Sequence, residues 1–157
     1  MNGDNRRSAI GQELRQGASA LMAARALRDL ELHNDALSRL YYALFHAVTA
    51  LLLTEGVEPR RHRALAGLLG THFVSSGALR PEDMAVVSRT QSYRDLADYE
   101  RTWEATRAIA DTAFADVESL ITRIHALLEV GGWIPEQEPT PKPEGEGAAD
   151  QKKNEET

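Results

Sequence analysis

Residues 36–56, ALSRLYYALFHAVTALLLTEG, place Leu37, Leu40, Tyr41, Leu44, Phe45, Val48, Leu51 and Leu52 at steps of three and four. At roughly 100° per residue these side chains fall on one broad apolar stripe, which predicts a helix lying in a core. Gly56 and Pro59 stop it, and Asn34 or Asp35 is suited to cap its start. Ala36, Ala43, Ala47 and Ala50 add a strip of small side chains, so a neighbouring helix can approach closely.

The same periodicity extends outward in both directions. Leu14, Ala18, Leu21, Ala24, Leu27 and Leu30 predict a first helix from about Ser8 to Leu32. Residues 62–74, HRALAGLLGTHFV, predict a shorter, glycine-weakened helix, followed by a turn at SSGALRPED. Pro81 suits the first turn of the next helix, which runs through EDMAVVSRTQSYRDLADYE. A final long helix carries Trp103, Ile109, Ala113, Phe114, Val117, Leu120, Ile121, Ile124, Leu127 and Leu128, and Gly131 and Gly132 end it. No segment alternates apolar and polar residues at strand spacing, and no repeat of solenoid length occurs. The expected class is all-α, an antiparallel four- to five-helix up-and-down bundle over residues 8–132.

At 157 residues with 42% hydrophobic content, the chain can bury one core. Its net charge of −6 divides unevenly. Residues 135–157 hold seven acids and three lysines, whereas residues 1–134 hold 17 acids and 15 arginines. The Pro/Glu/Gly-rich acidic segment 133–157 has too little apolar surface to offset its ordering entropy, and is expected to be disordered. The near-neutral remainder argues against a general polyanion binder, although a local arginine site is compatible with it. The absence of cysteine excludes disulfides and thiolate metal sites and fits a reducing compartment. No signal-peptide pattern is seen, and no apolar stretch approaches the roughly 20 residues of a membrane span, so the expectation is a soluble cytoplasmic protein without a membrane partner.

Polar chemistry concentrates in YRDLADYE, residues 93–100. Arg94 and Asp98, four apart, share a helix face, while Tyr99 is about 140° from Arg94. Arg94 and Tyr99 converge only if the helix ends or bends near Ala97, or if a second subunit supplies the partner. A second set, Arg39, Tyr42 and His46, recurs at i, i+3 and i+7 beside the apolar stripe. A cation, a phenol and an imidazole so placed can bind phosphate, with His46 able to move a proton near neutral pH. A third set, Arg60, Arg61, His62 and Arg63, opens the short helix and offers forked donors for phosphate. Each set also has a plain structural reading: a surface ion pair, a histidine bonded at a helix interface, and an exposed loop. No Walker loop, dinucleotide fingerprint, nucleophile elbow or H-E-x-x-H motif is present, so no metal or cofactor is expected.

Taken together, ALSRLYYALFHAVTALLLTEG, HRALAGLLGTHFVSSG, YRDLADYE and the closing ITRIHALL resemble a HEPN domain over residues 14–129, nearest to its small stand-alone branch with YYA-x-FHA and R-x-x-ADY motifs. The resemblance implies a helical bundle that forms a homodimer and is encoded beside a minimal nucleotidyltransferase as a toxin and antitoxin pair. It also implies a metal-independent ribonuclease whose arginine is followed, after four to six residues, by a histidine. Arg94 matches that arginine, but Tyr99 stands at the histidine position. The catalytic candidates are therefore Arg94, Tyr99 and His46, and the nucleotide- or RNA-binding candidates are Arg39, Tyr42, Asp98, Arg61 and Arg63. Tyr99, with a solution pKa near 10, is a poor base, but it is placed for adenylylation by such a nucleotidyltransferase. The alternatives are a catalytically reduced module that binds nucleotide or RNA, and a purely structural interaction protein.

Overall fold

Residues 36–54 of that stretch lie within α2, His33–Thr54, with Glu55 and Gly56 forming the turn beyond it, in a computed structural model that describes residues 2–135. Thirteen of its 22 residues are buried, so its apolar surface must be covered from several sides. Covering it are α1 (Gly3–Asp29), α4 (Pro81–Tyr99) and α5 (Arg107–Val130), with the short α3 (Leu65–Leu69) against one end. A 3₁₀ turn, His62–Ala64, precedes α3, and a π turn, Gly70–Val74, follows it. There is no strand among the described residues, and the chain is all-α. From residue 136 onward, the segment expected to be disordered lies outside the described residues.

Side-chain pairings fix the directions of the helices. Arg6 near the start of α1 donates to the Thr54 carbonyl at the end of α2. Ser38 and Tyr42 of α2 meet Asp98 and Arg94 of α4, respectively. Arg89 and Asp83 of α4 meet Asp116 and Arg123 of α5. The chain thus runs up and down, with α1 and α4 in one sense and α2 and α5 in the other. Between α1 and α2 the approach is close: a Cβ on Gly17 would stand 3.3 Å from His46 Cβ and 3.4 Å from the Ala43 carbonyl oxygen. By length and composition α2 is apolar enough to cross a membrane, contrary to the sequence expectation, but 72% of its most apolar 18-residue window is buried inside the bundle.

Several boundaries differ from those expected. The first helix starts earlier, at Gly3, because the Asn2 side chain accepts from the Asn5 amide. It stops at Asp29, where Glu31 takes a left-handed conformation (φ 62°) and the Leu32 amide turns back to the Leu27 carbonyl. Asn34 does not cap α2. Its side chain spans to the α4–α5 connection, donating to the Trp103 carbonyl at 2.9 Å and accepting from the Ala105 amide at 2.8 Å. Trp103 lies in that connection rather than in α5 and stacks on Tyr93, with ring centroids 6.1 Å apart. Past Gly131 and Gly132, Trp133 lies under the Arg7 guanidinium and packs on the core.

The start of α4 holds the one fully buried carboxylate among the described residues. Asp83 accepts from the Arg80 amide (2.9 Å), Arg80 Nη2 (3.2 Å) and Arg123 Nη2 (2.5 Å), tying the helix start to α5. Burial is the largest influence and pushes its pKa up, but the Arg80 and Arg123 hydrogen bonds together outweigh it, leaving the carboxyl below its ordinary value. A lowered folded pKa means that stability is present above the unfolded-state pKa and is lost as pH falls through the folded one. Asp83→Asn is therefore expected to cost about 1–3 kcal/mol near neutral pH, since both arginines retain access to water. Urea unfolding at pH 7 and in acid is the check: the difference between variant and wild type should shrink as pH falls.

Candidate functional site

The last two turns of α4 lie across the first turns of α2, and Arg94 fills the junction. Its Nη2 donates to the Tyr42 hydroxyl at 3.1 Å and its Nη1 to Asp95 Oδ1 at 3.1 Å. Its Nε is 3.2 Å from Asp98 Oδ2, as the four-residue spacing predicts, but without the alignment of a hydrogen bond. Asp98 is held in turn by the Ser38 hydroxyl at 2.9 Å. The guanidinium carbon lies 5.5, 5.6 and 5.9 Å from the ring centroids of Tyr41, Tyr42 and Tyr99, within reach of cation–π attraction. With its side chain only 16% exposed, Arg94 is a fixed positive charge. The hydrogen bond to Tyr42 chiefly raises its pKa, opposed by burial and supported by Asp95.

Arg94 and Tyr99 converge within one chain because α4 ends at Tyr99, one of the conditions their 140° separation required. The Tyr99 side chain remains on the rim, with 71% of the residue exposed. Beside it opens a cleft of about 690 Å³ whose walls include Arg61, His62, Arg63, Arg94, Asp95 and Tyr99. Arg61 and Arg63 thus join Arg94 from a separate segment of the chain.

Arg39, Tyr42 and His46 do share a face, but it opens on another cleft. This one, of about 430 Å³, lies between α1 and α2 and is also lined by Arg15, Gln16 and Ser19. Tyr42 stands between the two, accepting from Arg94 while the Arg39 guanidinium carbon lies 5.3 Å from its ring centroid. His46 Nδ1 is 2.7 Å from Glu13 Oε2 on α1. Neither Arg39 nor His46 lines the Arg94 cleft.

The imidazole in the Arg94 cleft is His62. Its ring stacks on Phe45 with centroids 4.5 Å apart, and its Nδ1 is 2.9 Å from the hydroxyl of buried Tyr41. Burial pushes the Tyr41 phenol up to about 12, with Arg94 acting in the opposite sense. Burial first and the Arg94 charge second hold His62 below the ordinary histidine value, so the ring is uncharged at neutral pH. The sequence set His62 among loop arginines. The signals that pick it out, Tyr41 and Phe45 one turn apart on α2, acquire meaning only once the 3₁₀ turn folds back onto them. No group of three or more histidine and carboxylate side chains is arranged to hold a metal ion among the described residues.

The family model for the HEPN domain matches residues 12–127, a span holding both clefts. The chain is 32% identical over 109 residues to "Putative toxin MJ0605" of Methanocaldococcus jannaschii, covering 69% of this chain and 81% of that protein. It is 30% identical over 98 residues to "Putative toxin MJ0142" of the same organism, covering 62% and 67%. A UPF0332 protein of Thermotoga maritima is 28% identical over 115 residues, covering 73% and 87%.

Tyr42 both anchors Arg94 and divides the clefts. Tyr42→Phe keeps the ring but removes the acceptor, and is expected to lower stability by about 1 kcal/mol. Urea unfolding beside wild type measures the change.

Proposed function

The chain belongs to the HEPN-domain family, and on that footing we propose that it is a toxin-like protein acting on RNA, with Arg94 at its centre. The observation that carries this reading is the nearly buried Arg94, held in place by Tyr42 and its carboxylate neighbours at the head of an open cleft that Arg61 and Arg63 also line. A preorganised guanidinium of this kind suits an RNA phosphodiester and the charge that develops on it. The two relatives bearing toxin names support the biological role. The reaction is metal-independent endonucleolytic cleavage. The ribose 2′-oxygen attacks phosphorus in line, its proton passes to solvent, and the 5′-oxygen leaves and takes a proton from water. Arg94 stabilises the charge on the phosphoryl oxygens. A homodimer sets two such clefts against each other, and an RNA substrate implies a cytoplasmic location.

The proposed partner is a minimal nucleotidyltransferase that silences the protein through Tyr99. The phenol is exposed at the rim, with its ring against Arg94. Attack of its oxygen on the α-phosphorus of ATP, with pyrophosphate leaving and the phenolic proton going to solvent, would attach an anionic adenylate beside the guanidinium and obstruct the cleft. A second reading, phosphate binding without cleavage, is favoured by two features: Tyr99 stands where the family resemblance expects a histidine, and His46 lines the other cleft and is paired with Glu13.

Cleavage of labelled transfer and messenger RNA with chelator present tests the first reading. Wild type should cut, Arg94→Ala should lose about 100-fold or more, and His46→Ala should stay near wild type. Equal cleavage by wild type and Arg94→Ala would remove Arg94 from the reaction, and Arg94-dependent binding without cleavage would establish the second reading. For the partner, intact mass after co-expression with the nucleotidyltransferase should rise by adenylate units in wild type and stay unchanged in Tyr99→Phe. An unmodified wild-type protein would refute silencing through Tyr99.

A further inference from the structure

We propose that His62 is a second phosphate-contacting group of the Arg94 cleft, offering RNA an Nε2–H whose tautomer is set by Tyr41. The proposal rests on the reading that this cleft takes an RNA phosphate, and it holds whether or not the RNA is cut.

The argument begins with a buried proton. Tyr41 is fully buried, and among the described residues its hydroxyl has one hydrogen-bond partner, His62 Nδ1 at 2.9 Å. A buried hydroxyl proton without an acceptor is costly, so the phenol donates and Nδ1 accepts. A neutral imidazole carries one ring proton, which must then sit on Nε2. Stacking on Phe45 fixes the plane of the ring, and the residue forms part of the cleft wall beside Arg94. Around it stand Tyr41, Phe45 and His46 from α2, Arg94 and Asp95 from α4, and Arg61 and Arg63 from its own segment.

An N–H beside a fixed guanidinium selects for an acceptor with negative charge. The non-bridging oxygens of a phosphodiester meet that requirement, and a cation does not. The same tautomer argues against proton abstraction by His62. Freeing the Nε2 lone pair would move the ring proton to Nδ1 and leave the Tyr41 hydroxyl without its acceptor. His62 therefore binds and orients, and in a cleavage reaction its N–H would stabilise the phosphoryl oxygens without giving up its proton.

The test uses the full chain. Two-bond nitrogen–proton NMR of the imidazole at neutral pH should show His62 protonated at Nε2, with Tyr41→Phe giving a mixture of tautomers. A wild-type ring protonated at Nδ1 would overturn the assignment without recourse to any variant. Binding is read with a fluorescent 2′-O-methyl RNA oligonucleotide, which cannot be cleaved. His62→Phe, which retains an aromatic ring for the Phe45 stack, should raise Kd about tenfold. His62→Gln, which restores an N–H donor, should recover part of that loss, whereas a purely structural histidine would give no such recovery. If Arg94→Ala abolishes binding and His62→Phe binds like wild type, this inference fails and the RNA reading stands. If wild type does not bind, or binds no better than Arg94→Ala, both fail together.

Discussion

A helix that is apolar around most of its circumference cannot face water, and α2 imposes that constraint on the rest of the chain. It packs on each of the other four helices, and the bundle is the arrangement that buries it. Its apolar surface gives way near Ser38, Arg39 and Tyr42, which are only partly buried or exposed. That gap is where α4 lays Arg94 against Tyr42 and where the cleft between α1 and α2 opens, while the Arg94 cleft is walled by the end of α4 and the 61–63 segment. The anchoring of Arg94 and Asp98 is thus tied to where the central helix stops being hydrophobic.

Within the gap, one nearly buried cation organises its surroundings. Removing a guanidinium from water is unfavourable unless its donors and faces are occupied. Arg94 meets that need with a phenolic oxygen, the carboxylates of Asp95 and Asp98, and three tyrosine rings. Tyr41 takes part twice: its face lies near Arg94 and its hydroxyl holds His62. The imidazole and the guanidinium are therefore coupled through a residue that is itself inaccessible to ligand.

Residues whose partners lie within a few positions were legible in the sequence. The apolar spacing of α2, the Arg94–Asp98 pair, Pro81 at the start of α4 and the glycines closing α5 are all local effects. Residues whose partners come from distant segments were not. Asn34 looked like a helix cap because capping is its commonest local use, yet its amide matches two backbone groups of the α4–α5 connection 69 and 71 residues away. Trp103 continued the apolar pattern of α5 but stacks on Tyr93 outside any helix. Arg39 and His46 shared a face with Tyr42, as their spacing required, but sequence spacing cannot tell which side of Tyr42 that face adjoins. His62 stands 32 residues before Arg94 in a run of arginines, and its stack on Phe45 exists only after folding.

The up-and-down course of the chain also determines how far the cleft's field reaches. Dipoles of neighbouring antiparallel helices oppose one another, so the four long helices leave little net potential over the site. What remains is local: Arg61, Arg63 and Arg94 face Asp95 and Glu100 in the same wall, a surplus of one positive charge. A surplus that small gives weak long-range steering, and at physiological ionic strength it is screened within about 8 Å. Under the proposed function, such a cleft would discriminate by short-range fit after contact, and with only three arginines in its wall to neutralise phosphates the salt dependence of strand binding would be shallow.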